Sequence, residues 1–284
     1  MNAPPVLATA TGTKFAGMAV ELPVSISAAT GTLIGIATHA ARVADVAVLI
    51  VPASGESRTG TDRRSVRLAR ALAHAGLPSL RFDSADGGDS PPRMASDPRY
   101  DEDAVAAARC LLGLHPDAFV AVLAVGRAAS RMPHVWHALA RADLPLSALC
   151  LVDPQVDFAS WAPRAGWWRR LFGRPPVAEA ATPDAPEAAA KATDAGGASH
   201  GTTQAWSSLP TAVRAARSRL LVVSRGEAGC SAALRSLARD DRTWRKALRR
   251  SRGLLQLEES APGASDPADW RELSRWLAQR LTVR

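Results

Sequence analysis

Cysteine is scarce: Cys110, Cys150 and Cys230 are odd in number, form no CxxC pair and sit in no Cys/His cluster. That excludes a disulfide framework and a zinc motif, and it fits a reducing cytoplasm. Aromatic residues reach only 5%, with a single tyrosine, which argues against a β-sandwich core. No stretch approaches the ~20 apolar residues that span a bilayer. Residues 1–14 lack a charged region followed by a long apolar one, so no signal peptide is expected. There is no internal repeat. Histidine is also sparse, with none beyond His200.

What is present is a 47% hydrophobic, alanine-rich chain of 284 residues, enough for one large domain with a sizeable core. The net charge is +8, mostly from arginine. Solubility and a GC-rich genome account for such a surplus. No basic run alternates with aromatics along a strand, so nucleic acid is not an expected partner. No cofactor or metal is expected either.

Hydrophobic periodicity divides the chain. Residues 18–26 and 31–37 read as strands joined by a turn, and Val46–Val51 as a buried parallel strand. A helix is expected over 61–75, closed by Gly76, and another over 101–112, closed by Gly113. Phe119–Val125 reads as a buried strand entering Gly126-Arg127-Ala128-Ala129-Ser130, with a helix over 128–140 irregular near Pro133. A strand at 147–152 follows. Residues 161–172 are rich in Trp and Arg, and 174–204 is an Ala/Pro/Gly/Thr stretch read as disordered. Order is expected to resume at 209–216, then a strand at 219–224, helices at 230–238 and 241–250, a strand at 254–258 and a helix at 267–281. Strands alternating with helices give an α/β class: a doubly wound, mostly parallel sheet. The core is 1–159 and 209–284, with 160–208 as a cap segment and linker.

Arg58-x-Gly60-x-x-Arg63, then the run from Leu68 to Gly76, then Leu80-Arg81-Phe82-Asp83 through Gly88-Asp89-Ser90 resembles the exosortase A system-associated hydrolases, a branch of the α/β-hydrolase superfamily. The segments Leu149 to Pro154 and Leu221 to Glu227 are similar to that family in order. The resemblance implies an eight-stranded hydrolase sheet, a small cap after the sixth strand, a bacterial exopolysaccharide/export setting, and serine- or cysteine-type hydrolysis of an ester-like bond.

Three of the catalytic parts that the family requires are altered: nucleophile, base and oxyanion run. G-x-S-x-G places the nucleophile at the third position, where this chain has Ala128 after Gly126. Ser130 lies two residues further on and reads as a helix-surface or capping serine. Arg127 stands beside the elbow, where its side chain can fill the vacant site or bind an anion. The base should follow the last strand, and no histidine does; His134 and His137, past the elbow, are poor substitutes and read as helix-face residues. The acid position holds Glu227, vestigial without a histidine. Pro52-Ala53-Ser54-Gly55 replaces a Gly-Gly oxyanion run, and proline removes a donor.

For binding, Arg58, Arg63 and Arg64 at a helix start suit an anion or form a solvated face. Asp83, Asp86 and Asp89 lack calcium-loop spacing and read as capping carboxylates. Trp167 and Trp168 with their arginines suit a protein or membrane-surface contact, or pack a cap on the body. Three readings stand: a catalytically inactive hydrolase homologue binding a small anionic or acyl ligand; an active serine hydrolase using Ser130 with His134 or His137; and a docking protein acting through the Trp/Arg cap. The expected location is cytoplasmic, peripheral to a membrane in the last case.

Overall fold

The structure is a computed structural model that describes residues 19–29, 31–41, 45–90, 100–155, 198–225, 241–251, 254–257 and 267–282. Strands β1 (Val20–Ala28) and β2 (Gly31–His39) form a hairpin in which Ala28 faces Gly31. Gly31 takes a φ of +137°, which an L side chain would resist. β3 (Val46–Val51) is buried at all six residues, as an unbroken Val/Leu/Ile run requires when helices cover both faces of a sheet. β4 (Ser79–Phe82), β5 (Phe119–Val125), β6 (Leu146–Val152), β7 (Arg219–Arg225) and β8 (Leu254–Leu257) complete it.

The sheet order is β1-β2-β4-β3-β5-β6-β7-β8. β2 is antiparallel to both neighbours and every other pairing is parallel, so seven strands share one direction. This is the eight-stranded, mostly parallel sheet that the resemblance implies.

Helices α1 (Arg64–His74) and α6 (Pro267–Thr282) cover one face of the sheet, with Leu68, Leu72, Trp270 and Leu277 in the same core as Val48 and Leu123. Helices α2 (Tyr100–Leu114), α3 (Met132–Arg141), α4 (Ala198–Ala215) and α5 (Arg242–Ser251) cover the other. The rings of Trp206 and Trp244 stack at 6.0 Å, and Trp244 Nε1 donates to the Trp206 carbonyl at 3.2 Å. Such a ring pair adds ~1 kcal/mol beyond its buried area and locks α4 to α5. Among the described residues no helix is long and apolar enough to cross a membrane.

Three expectations are corrected. The helix expected from residue 61 begins at Arg64: Asp62 and Arg63 have φ of 52° and 58° and form a 3-10 turn with Thr61. Glu56 holds them out of the helix by accepting from the Thr61 N–H and hydroxyl. The second helix passes through Gly113 to Leu114, because Gly113 does not take the positive φ of a helix-ending glycine, as Gly76 does at +87°. The ordered segment expected from Leu209 is part of a helix that begins at Ala198. Gly201, Thr202, Thr203 and Pro210 are weak helix formers, yet Trp206, Leu209 and Val213 recur at helical spacing and are buried. Tertiary packing overrides the local preference. The cap residues 160–197, including Trp167 and Trp168, and the segment with Glu227 and Cys230 lie outside the described residues.

Candidate functional site

Parallel strands point their C-terminal ends one way, and there the loops after β3, β4, β5 and β6 meet. β5 ends at Val125, and the chain turns into a 3-10 segment over Gly126–Arg131. The one residue of this turn with positive φ is Gly126, at +59°. A nucleophile elbow strains the backbone at the residue between strand and helix. That residue here is Gly126, so the apex lies two positions before the one expected. Ala128 is 1% exposed and packs with Ala129 in the core cluster beneath α3. A side chain at 128 enters the core; the apex itself carries no side chain.

The place of the missing side chain is bordered by a guanidinium. A Cβ built on Gly126 would lie 3.4 Å from Arg64 Nη1 and 4.0 Å from Gln155 Cδ. Gln155 is fixed there by its N–H, which donates to the Gly126 carbonyl at 3.1 Å. Arg64 Nη2 donates to both Glu56 oxygens at 2.8 Å. Glu56 also accepts from Ala53 N at 3.3 Å and Thr61 N at 2.7 Å. Burial alone would push the Glu56 carboxyl up, but the Thr61 donors and Arg64 outweigh it and hold it below the ordinary range. The β3–α1 loop is thus wrapped around an internal carboxylate.

A second carboxylate occupies the other half of the loop. Asp86 accepts from Gly55 N at 3.0 Å, Ser54 Oγ at 2.7 Å and Ser84 Oγ at 2.5 Å. Arg131 Nη2 stands 3.7 Å from Asp86, and its guanidinium lies 3.3 Å over the Tyr100 ring, a cation–π contact. Burial raises the Asp86 pKa, and the donors of Ser84, Tyr100, Ser54 and Gly55 outweigh it to a net lowering. The Ala53 and Gly55 N–H groups, both in the loop after β3, are both spent on carboxylates.

The motif at 58–90 forms the adjacent knot. Asp83, fully buried, accepts from the Arg58 N–H, the Arg58 guanidinium and Asp89 N. Arg58 also pairs with Asp89 at 2.9 Å. Ser90 Oγ donates to the Asp83 carbonyl and accepts from Ile34 N, each at 2.9 Å, tying the loop to β2. At Gly88, with φ +69°, a Cβ would fall 2.2 Å from Asp83 Cγ. Asp83, Asp86 and Asp89 are therefore spent on backbone, hydroxyl and arginine donors. Among the described residues no group of three or more His, Cys, Asp or Glu side chains is placed to hold a metal ion.

The remaining sequence candidates scatter. Arg127 is exposed and is not the cation over the apex. Ser130 is exposed and its Oγ donates to the Arg127 carbonyl at 2.8 Å. His134 is exposed and His137 half-buried on α3. Arg63 is exposed and borders a groove with Arg67, Arg70 and the buried Arg81, while Arg58 and Arg64 are held by carboxylates. His39 and His115 meet ring to ring at 5.5 Å, but at the opposite edge of the sheet, before β5. Cys150 is fully buried in β6 and burial pushes its thiol up to about 12, so it is inert packing. Sequence reasoning missed Glu56; its partners Thr61 and Arg64 lie five and eight residues on, a spacing that no regular element brings together.

No family model matches the chain, and no curated protein matches it. Solved structures do. An esterase from Pyrococcus furiosus superposes with a TM-score of 0.58 at 11% identity, over 93% of this chain and 92% of that chain. A serine hydrolase without a lid from Xanthomonas campestris gives 0.55 at 14% identity, over 93% and 96%. A dienelactone hydrolase from Anabaena variabilis gives 0.51 at 14% identity, over 92% and 96%. At such identities the likeness establishes the fold alone, and that fold is the α/β hydrolase.

Proposed function

We propose that this chain uses the α/β-hydrolase fold without its chemistry and works by binding, as an accessory protein. The observation that carries this reading is the apex at Gly126, which bears no side chain and is bordered by Arg64 with its Glu56 counter-ion. Acyl transfer needs a nucleophile, a base, an orienting acid and donors for the oxyanion. The apex offers no attacking atom. The sequence has no histidine after β8 to act as base. Carboxylates bound to Ala53 N and Gly55 N oppose the negative charge that a tetrahedral intermediate develops. The resemblance of residues 58–90 makes an exopolysaccharide/export setting part of the proposal. Trp167 and Trp168 are its contact for a protein or membrane surface, and a small anionic or acyl compound is its candidate ligand.

The competing reading is an active esterase using Ser130 with His134 or His137, favoured by the esterases among the structural neighbours. Its serine is already engaged as a donor to a backbone carbonyl. Fluorophosphonate labelling and turnover of p-nitrophenyl acyl esters separate the two. The native chain is expected to stay unlabelled and to hydrolyse no faster than buffer, with Gly126→Ser equally inert for want of a base. Labelling of the native chain that disappears in Ser130→Ala overturns the proposal.

A further inference from the structure

The edge of the sheet opposite the elbow carries a groove that no catalytic reading uses. Its volume is about 700 Å³, and it lies where the end of α4, the start of β7, the outer side of α5 and the end of α6 converge. Arg214, Arg217, Arg242, Lys246, Arg250 and Arg280 line it, and among the described residues its walls include no Asp or Glu. Among the described residues none of these six has a carboxylate within ion-pair distance. The nearby Asp241 is engaged at the start of α5, accepting from Thr243 N at 2.6 Å and Trp244 N at 3.2 Å. Arg245 and Arg249 extend the cationic surface along α5. Arg242, Lys246 and Arg250 are spaced i, i+4, i+8, so a cation recurs every ~6 Å along one helix face.

We propose that this groove holds the phosphate backbone of single-stranded nucleic acid without reading its sequence. Cations held together without counter-ions repel one another, and a polyanion relieves that repulsion while releasing its own condensed counter-ions. Arginine predominates, and its planar fork suits phosphate oxygens. The concave shape suits a strand that tracks a groove. An anionic membrane fits less well: a surface helix needs an apolar face to insert, and on α5 that face, Trp244 and Leu248, is already buried in the core. The sequence alone pointed away from nucleic acid because the cations come from three separate segments and alternate with no aromatics.

The test is fluorescence anisotropy of a labelled oligothymidylate of roughly 20 nucleotides with the full chain. Engagement of about five phosphates gives a log–log salt slope near −3.5, hence roughly a hundredfold weaker binding at about 200 mM than at about 50 mM salt. Arg242→Glu/Lys246→Glu/Arg250→Glu is expected to weaken binding at least tenfold and flatten the slope by about 2. The control Arg109→Glu/Arg141→Glu, charge-matched to Arg214→Glu/Arg217→Glu and exposed away from the groove, is expected to bind as the native chain does. Arg214→Glu/Arg217→Glu, on the other wall, repeats the loss if the first variant misfolds, with circular dichroism checking each. Absence of binding at about 50 mM salt, or equal losses in groove and control variants, overturns the proposal. So does retention on phosphatidylserine vesicles without binding to the oligonucleotide.

Discussion

The two edges of one sheet treat arginine in opposite ways. At the C-terminal edge, Arg58 is bound to Asp83 and Asp89, Arg64 to Glu56, and Arg131 lies against Asp86 and Tyr100. At the N-terminal edge, Arg214, Arg217, Arg242, Lys246 and Arg250 gather without a described carboxylate among them. The first arrangement uses charge to shape loops, because a buried ion pair with its remaining lone pairs satisfied fixes geometry even where it adds little net stability. In the second, these five cations form no ion pair among the described residues. They leave a field in place for something outside the chain. The overall surplus of +8 hides this division.

Breaking the paired edge has the largest expected effect. Arg58→Met strands the fully buried Asp83 carboxylate with only backbone donors, and loss of one partner of such a pair costs ~3 kcal/mol. Urea unfolding measures it, and a loss below ~1 kcal/mol would mean that the knot is not held by this ion pair. A milder perturbation is acid. Glu21, through Arg70 against the cost of burial, and Glu56 and Asp86, through donors that outweigh burial, all have lowered folded pKa values. The stability they contribute is complete above their unfolded values and is lost as pH falls through the lower folded ones. The unfolding midpoint should therefore drop as pH falls below about 4, and Glu56→Gln should blunt that drop. The smallest effect probes the unpaired edge. Arg242→Gln/Lys246→Gln removes like charges at i,i+4, so it should stabilise the protein by ~0.3 kcal/mol at low ionic strength. That gain should vanish in about 0.5 M salt, where the charges are screened; a stabilisation that persists there would point to helix propensity instead.

Much of this was legible beforehand, and the misses have physical causes. Val46–Val51 reads as a buried parallel strand because six consecutive apolar residues leave no face for water. The strand alternation that implies the fold survives because each strand is continuous and apolar. The elbow was displaced by two residues: a motif names a position, but which residue takes the positive φ depends on how the strand ends. Helix α4 hid behind weak helix formers, its anchor Trp206 making contacts that only the tertiary fold supplies. The groove was invisible because α4, α5 and α6 are far apart in sequence, and each basic stretch alone reads as a solvated face.

Gly88 carries a consequence for how such chains are sorted. Its missing Cβ is what lets the Asp83 carboxylate close over the loop, so the Arg58–Asp83–Gly88–Asp89 signature is a requirement of folding. A saturation library would be depleted at these positions whether or not any member could cleave an ester. A search keyed on this signature therefore selects for the fold of the loop, and is blind to whether a chain carries a nucleophile, a base or free oxyanion donors.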